Sequence, residues 1–167
     1  GGGGEVPRIV DFGIATLRDP DETMEGGKLT ASGQMIGTPL YMSPEQAKLE
    51  PFDHRADLFA LGVIMYEMLA GTIPFTGSAI DVALANINKD PPPISQRAPD
   101  VMADPLLERF ARKLMARHVD RRFASAHDAL AVLDLIDKDP AAAGPALGLM
   151  DVARALAVVS LPPPPRK

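Results

Sequence analysis

The longest apolar run in the chain begins at Asp57 and reads Leu58-Phe59-Ala60-Leu61-Gly62-Val63-Ile64-Met65-Tyr66-Glu67-Met68-Leu69-Ala70. It is too long for an ordinary strand and apolar almost all round, which predicts a central, buried helix. Asp57 has a side chain suited to cap the first-turn amides, and Gly71 suits the left-handed closing position, with Pro74 beyond it. Three more helices follow from weaker periodicity. Ala79 to Asn88 is moderately periodic and stops before Pro91-Pro92-Pro93. Pro105 to Ala116 sets Leu107, Phe110, Ala111 and Leu114 on one stripe and turns Arg109, Arg112 and Lys113 mostly outward. Ser125 caps a helix in which Ala126, Leu130, Leu133 and Ile136 keep helical spacing as far as Lys138.

The polar segments complete the outline. Gly1 to Gly4 open the chain, and Arg8-Ile9-Val10 reads as a strand end turning at Asp11-Phe12-Gly13. Residues 18 to 37 are rich in Asp, Glu, Gly, Thr and Ser without a period, which predicts a long loop of the kind usually kept for function. After Pro140 the chain turns Ala, Gly and Pro rich. A weak helix is expected over Leu147 to Val159, and Pro162 to Pro165 read as an extended polyproline end. The outline is a mainly α body with one long loop near its start.

Composition narrows the chemistry. With 46% apolar and 23% charged residues over 167 positions, the chain can bury a core. A net charge of −5 leaves no electrostatic footprint for sequence-independent nucleic-acid binding, and no nucleic-acid partner is expected. Without Cys there are no disulfides, thiolate metal sites or Cys nucleophiles, and His54, His118 and His127 are too scattered for a helical metal pair. No apolar stretch reaches the roughly 18 residues of a membrane helix. The opening is not a signal peptide, so a cytoplasmic setting is expected.

Three segments carry a family resemblance: Ile9-Val10-Asp11-Phe12-Gly13-Ile14-Ala15, Gly37-Thr38-Pro39-Leu40-Tyr41-Met42-Ser43-Pro44-Glu45, and Asp57 to Phe75. A lone Asp-Phe-Gly would be weak. Here Ser-Pro-Glu follows at activation-segment distance, standing where protein kinases have Ala-Pro-Glu. From about Arg8 to about Lys138 the chain resembles the large, C-terminal lobe of a bacterial, eukaryotic-like serine/threonine protein kinase. The resemblance implies a short strand remnant over 1–10, an activation segment over 11–45, a helical lobe over 46–138 and a flexible tail over 139–167. It also implies ATP and Mg²⁺ as cofactors of the complete kinase and proteins as substrates.

The same resemblance assigns roles residue by residue. Asp11 matches the metal ligand, a hard carboxylate suited to Mg²⁺ bridging the β- and γ-phosphates. Phe12 and Gly13 match the residues that set loop conformation. Thr38 matches the activation-segment Thr that bonds the catalytic Asp. Met35, Pro39 and Met42 match the pocket for the substrate residue after the phosphoacceptor, and Glu67 a position that holds a basic substrate residue. Thr30 and Ser32, with Thr23 behind them, stand where related loops are phosphorylated. Glu45 and Arg122 match a structural ion pair with two parallel hydrogen bonds. Asp57 matches a helix-capping Asp that holds the catalytic-loop backbone.

The departures from the family are equally definite. Only 10 residues precede Asp11, and they contain no Gly-x-Gly-x-x-Gly loop, no strand Lys and no His-Arg-Asp segment with its downstream Asn. His54-Arg55-Ala56-Asp57 imitates the last of these but lies after Asp11, at the start of the buried helix. The lobe is therefore expected to be incomplete, inactive alone, and a partner for an intact kinase or the missing nucleotide lobe. The alternative is a catalytically dead, kinase-like binding or scaffold module. For the incomplete lobe, the resemblance implies that the helix covering the Asp57 helix in a complete kinase is missing, so one flank of it, including some of Leu61, Ile64, Met65 and Leu69, is expected to be exposed.

Overall fold

The computed structural model describes residues 39–149. The expected strand end at 8–10, the loop over 18–37 and the polyproline end lie outside the described residues. A 3-10 turn, Pro39–Tyr41, leads into α1 (Pro44–Ala47), α2 (Arg55–Ala70), α3 (Ala79–Asn88) and α4 (Ile94–Arg97). Then come α5 (Pro105–Leu114), a second 3-10 turn (Val119–Arg121), α6 (Ala126–Lys138) and α7 (Pro140–Ala146). There is no strand among the described residues, and the fold is mainly α.

Helix α2 is the centre, and its most extensive partner is α5. Two adjoining apolar clusters share these helices. Leu58, Leu106, Phe110, Leu114, Phe123, Ala129 and Leu147 form one. Phe59, Val63, Tyr66, Ala70, Ile94, Ala111 and Met115 form the other. Gly62 allows the close crossing, since a Cβ there would lie 2.7 Å from Met115 Cγ and 2.8 Å from Leu114 Cβ. The hydroxyl of the buried Tyr66 donates to the Pro92 carbonyl at 3.0 Å. Burial and the charge of Glu108 push its pKa up to about 12.

Local chemistry explains where the helices start and stop. Ser78 and Asp81 form a reciprocal capping box at the head of α3, and Ser125 accepts from the Asp128 amide at the head of α6. Both helices keep the bounds that periodicity predicts. Gly71 closes α2 at φ 69°, the left-handed conformation expected of it. The start of α2 differs: it begins at Arg55, two residues before Asp57. Asp53 Oδ1 accepts from the Arg55 amide at 2.8 Å, and its carboxylate also grips the Arg55 guanidinium. Those bonds hold the Asp53 carboxyl down at about 2. Asp57 is thus a helical residue, exposed, and caps nothing among the described residues.

Three further expectations meet the structure. First, α2 is central and carries the exposed flank expected of it: Leu61, Ile64 and Met68 are 43%, 45% and 79% exposed. Their spacing places them on one flank, with Asp57 one turn before, while α5 and α4 cover the other sides. Met65 and Leu69 are half-buried. Second, the basic residues of α5 do not simply face outward. Arg109 Nε donates to the Leu147 carbonyl, Lys113 Nζ to the Ala146 carbonyl and Arg112 Nε to the Pro91 carbonyl. That helix also ends at Leu114 rather than Ala116.

Third, the tail expected to be flexible from 139 carries α7. Asp139 caps the Ala142 amide, Pro140 takes the first turn where its missing N–H costs nothing, and Ala143 and Leu147 are buried. Arg109 and Lys113 hold the last carbonyls of α7, so packing and capping offset the poor helix propensity of Gly144 and Pro145. The helix expected over Leu147 to Val159 does not start there. Leu147 closes α7 and Gly148 follows at φ 72°. The remainder of that expected helix lies outside the described residues.

Candidate functional site

The residues that seat the end of the 37–45 segment on the helical base form the best-defined polar site. Arg122 follows the 3-10 turn Val119–Arg121, which aims its side chain inward beneath α1 and the head of α2. Its guanidinium is 0% exposed. Nη1 donates to Glu45 Oε1 at 2.6 Å and Nη2 to Glu45 Oε2 at 2.8 Å, the parallel two-bond geometry. Nη1 also donates to the Arg55 carbonyl and Nε to the Ala116 carbonyl. Arg122 Cζ lies over the Phe59 ring, 5.0 Å from its centroid.

Glu45 is 12% exposed. Burial pushes its carboxyl up, but the hydrogen bonds and charge of Arg122, with help from its own amide and Ser43, bring the net shift below the ordinary value. No buried side-chain nitrogen or oxygen among the described residues lacks a partner, so the clamp is fully satisfied. The expected pair of Glu45 and Arg122 is brought together. Sequence spacing alone gives no clue to it, because 77 residues separate the two.

Two contacts that sequence reasoning missed fix the same segment. The Tyr41 hydroxyl donates to Glu67 Oε2 at 2.9 Å, and that bond, with burial and the charge of Glu67, raises the Tyr41 pKa. Glu67 on α2 is thereby tied to the segment. The buried Asn86 of α3 donates from Nδ2 to the Met42 carbonyl at 3.0 Å. The clue to Asn86 was present: it follows Val82 by one turn, on the inner stripe of α3, where a polar side chain needs a partner. Ser43, fully buried, caps α1 through a reciprocal box with Gln46.

The remaining expected site residues divide simply. Pro39 begins the 3-10 turn, and Met42 is half-buried beside Ser43. Asp57 joins none of these contacts. Asp11, Phe12, Gly13, Thr23, Thr30, Ser32, Met35 and Thr38 lie outside the described residues. Among the described residues no group of three His, Asp or Glu side chains is placed to hold a metal ion. No helix there is long and apolar enough to cross a membrane.

A helical base that clamps a preceding segment through a buried Arg–Glu pair is a recognisable class of architecture, and the comparisons give it a family. Residues 3–132 match the protein kinase domain, and the chain belongs to the protein kinase family. Its curated relatives include bacterial serine/threonine-protein kinases. It is 41% identical to the serine/threonine-protein kinase pkn3 of Myxococcus xanthus over 133 residues, 79% of this chain and 24% of that protein. It is 36% identical to the serine/threonine-protein kinase PknB of Mycolicibacterium smegmatis over 161 residues, 95% of this chain and 24% of that protein. A probable serine/threonine-protein kinase of Clostridium perfringens, CPE1738, is 33% identical over 139 residues, 81% of this chain and 19% of that protein. The chain thus spans about a quarter of the length of Pkn3 and PknB.

Proposed function

We propose that this chain is the substrate-side portion of a serine/threonine protein kinase, which transfers a phosphoryl group from ATP to Ser or Thr hydroxyls of proteins. The observation that carries the reading is the Glu45–Arg122 clamp. It fastens the end of a segment bearing Thr38, Pro39 and Met42 to a rigid helical base. Phosphoryl transfer is chiefly positioning plus charge neutralisation, so a fixed platform for the acceptor peptide is what this half must supply. Asp11 is the residue that would hold Mg²⁺ with ATP, and the ion would supply the charge neutralisation. Glu67, with Oε2 engaged by Tyr41, presents a carboxylate for a basic residue of the substrate. The family pattern assigns Met35, Pro39 and Met42 to the pocket for the substrate residue after the phosphoacceptor. Thr30 and Ser32 are the modification sites of the loop.

The 167-residue chain by itself carries no Gly-rich loop, strand Lys or His-Arg-Asp segment, so it does not transfer phosphate unaided. The test uses labelled MgATP and a basic protein substrate. The chain alone should show no transfer. The polypeptide encoded together with the in-frame upstream sequence should show transfer that Asp11→Asn abolishes. Absence of transfer by both would establish the kinase-like binding module instead.

A further inference from the structure

Helix α3 packs its inner side against α1 and the Pro39–Tyr41 turn. The buried residues of that side are Val82, Ala83, Ala85 and Asn86, so Asn86 is the one polar group among apolar neighbours, at 2% exposure. A buried amide needs a partner, and Asn86 Nδ2 donates to the Met42 carbonyl at 3.0 Å. The next N–H along the chain, that of Ser43, donates to Gln46 Oε1 at 3.0 Å. The Met42 carbonyl and the Ser43 N–H belong to one planar peptide unit. Its oxygen is held from α3 and its N–H from α1, so it cannot turn without losing both bonds. Pro44 adds a further restraint by keeping Ser43 extended, at φ −70° and ψ 157°. On the other side of Met42, the Tyr41 hydroxyl is tied to Glu67.

Half-buried Met42 thus stands on a backbone fixed from both directions. An apolar seat discriminates between side chains only where its walls do not give way. Filling the inner side of α3 does not require an amide: Leu, of nearly the same shape, would pack there but would leave the Met42 carbonyl without its donor. We infer that Asn86 is a positioning residue for substrate selection. Through the Met42 carbonyl it holds the seat for the side chain that follows the phosphoacceptor, and it makes α3 part of the choice between an aliphatic residue and glycine at that place. The assignment of the seat to Met42 rests on the kinase reading above. The doubly held peptide unit does not, so the two can fail separately.

The test has two readouts. Met42–Ser43 is the one Met-Ser step in the sequence, so the 167-residue chain labelled with carbonyl-carbon-13 Met and nitrogen-15 Ser gives a single amide–carbonyl NMR cross-peak from this peptide unit. Asn86→Leu should displace that peak with an unchanged circular dichroism spectrum. Gln46→Met, at a half-buried position, frees the same peptide unit from its other side and carries the test where Asn86→Leu folds poorly. In the polypeptide encoded together with the in-frame upstream sequence, kcat and KM are then measured for two basic peptides that differ only in Leu or Gly after the phosphoacceptor. The preference for Leu in kcat/KM should fall about three- to tenfold in either variant, mostly through the KM of the Leu peptide. Equal losses on the two peptides, which a merely structural residue would give, overturn the proposal, and so does a cross-peak that neither variant moves. Transfer with an unchanged preference keeps the kinase reading and removes the role of Asn86. No transfer to either peptide removes the kinase reading and the selection role with it, while a displaced cross-peak still establishes the doubly held peptide unit.

Discussion

Replacing Gly62 by Ala tests the packing of α2 on α5 with two opposing effects of known size. In a helix interior Ala is favoured over Gly by about 1 kcal/mol, so propensity alone predicts a more stable chain. The added Cβ, however, would meet Met115 Cγ at 2.7 Å, Leu114 Cβ at 2.8 Å and the Ala111 carbonyl oxygen at 3.0 Å. The Met115 side chain can swing away. The other two atoms are fixed to the α5 backbone and yield only if that helix moves. Overpacking costs about 1–3 kcal/mol, and contacts with immovable atoms place this case near the upper end. The net expectation is a loss of about 2 kcal/mol. With a urea m-value of about 1–3 kcal/mol per M, the unfolding midpoint should fall by about 0.7–2 M, read by circular dichroism. Gly71→Ala is the control: its φ is +69° and nothing lies within 4 Å, so it carries backbone strain of about 1–2 kcal/mol without a clash. A midpoint for Gly62→Ala equal to or above that of the parent chain would refute the close crossing.

Other outcomes follow from the same contacts. Arg122→Met leaves the Glu45 carboxylate and two carbonyls without their donor, and should cost about 3–5 kcal/mol in urea unfolding. Unchanged stability would remove the clamp. The Asp53 carboxyl lies at about 2 in the folded chain against an ordinary 3.8. Its contribution to stability is therefore complete above the ordinary value and is lost as pH falls toward 2, so Asp53→Asn should flatten that limb of the pH–stability curve. Glu45, also lowered, adds to stability in the same direction. The flank of Leu61, Ile64 and Met68 should bind a hydrophobic dye and drive self-association in size-exclusion chromatography. Replacing all three by Gln should abolish both, and a monomeric parent chain without dye binding would contradict this.

Legibility in the sequence tracked the kind of force that sets each feature. Helices α3 and α6 have side-chain caps, Ser78 with Asp81 and Ser125, and local caps are written into adjacent residues. Their ends were therefore readable. The start of α2 is less legible: Asp57 has a capping side chain, but the helix begins two residues earlier, where the Asp53 carboxylate holds both the amide and the guanidinium of Arg55. Helix α7 was missed because its Ala, Gly and Pro composition argues against a helix. Burial of Ala143 and Leu147 and donors from α5 outweigh that preference. At the site, Glu45 and Arg122 could be paired only through the family pattern. The Tyr41–Glu67 bond joins a 3-10 turn to the last turn of α2, 26 residues along, which no local spacing encodes.

The clamp also bears on how the molecule opens. Helix α1 has only four residues, too short to persist in water without tertiary support. Its support comes from Arg122, 77 positions along the chain, and from Asn86 on α3. Fraying of α1 therefore cannot be a private event of that turn, because it strips a buried guanidinium of its counter-charge at the same moment. Amide hydrogen exchange at Ala47 and Lys48, whose N–H groups bond to the Ser43 and Pro44 carbonyls, should report the release of Arg122 from beneath α2. The two halves of the helical base, one before α3 and one after α5, would then exchange as a single cooperative unit.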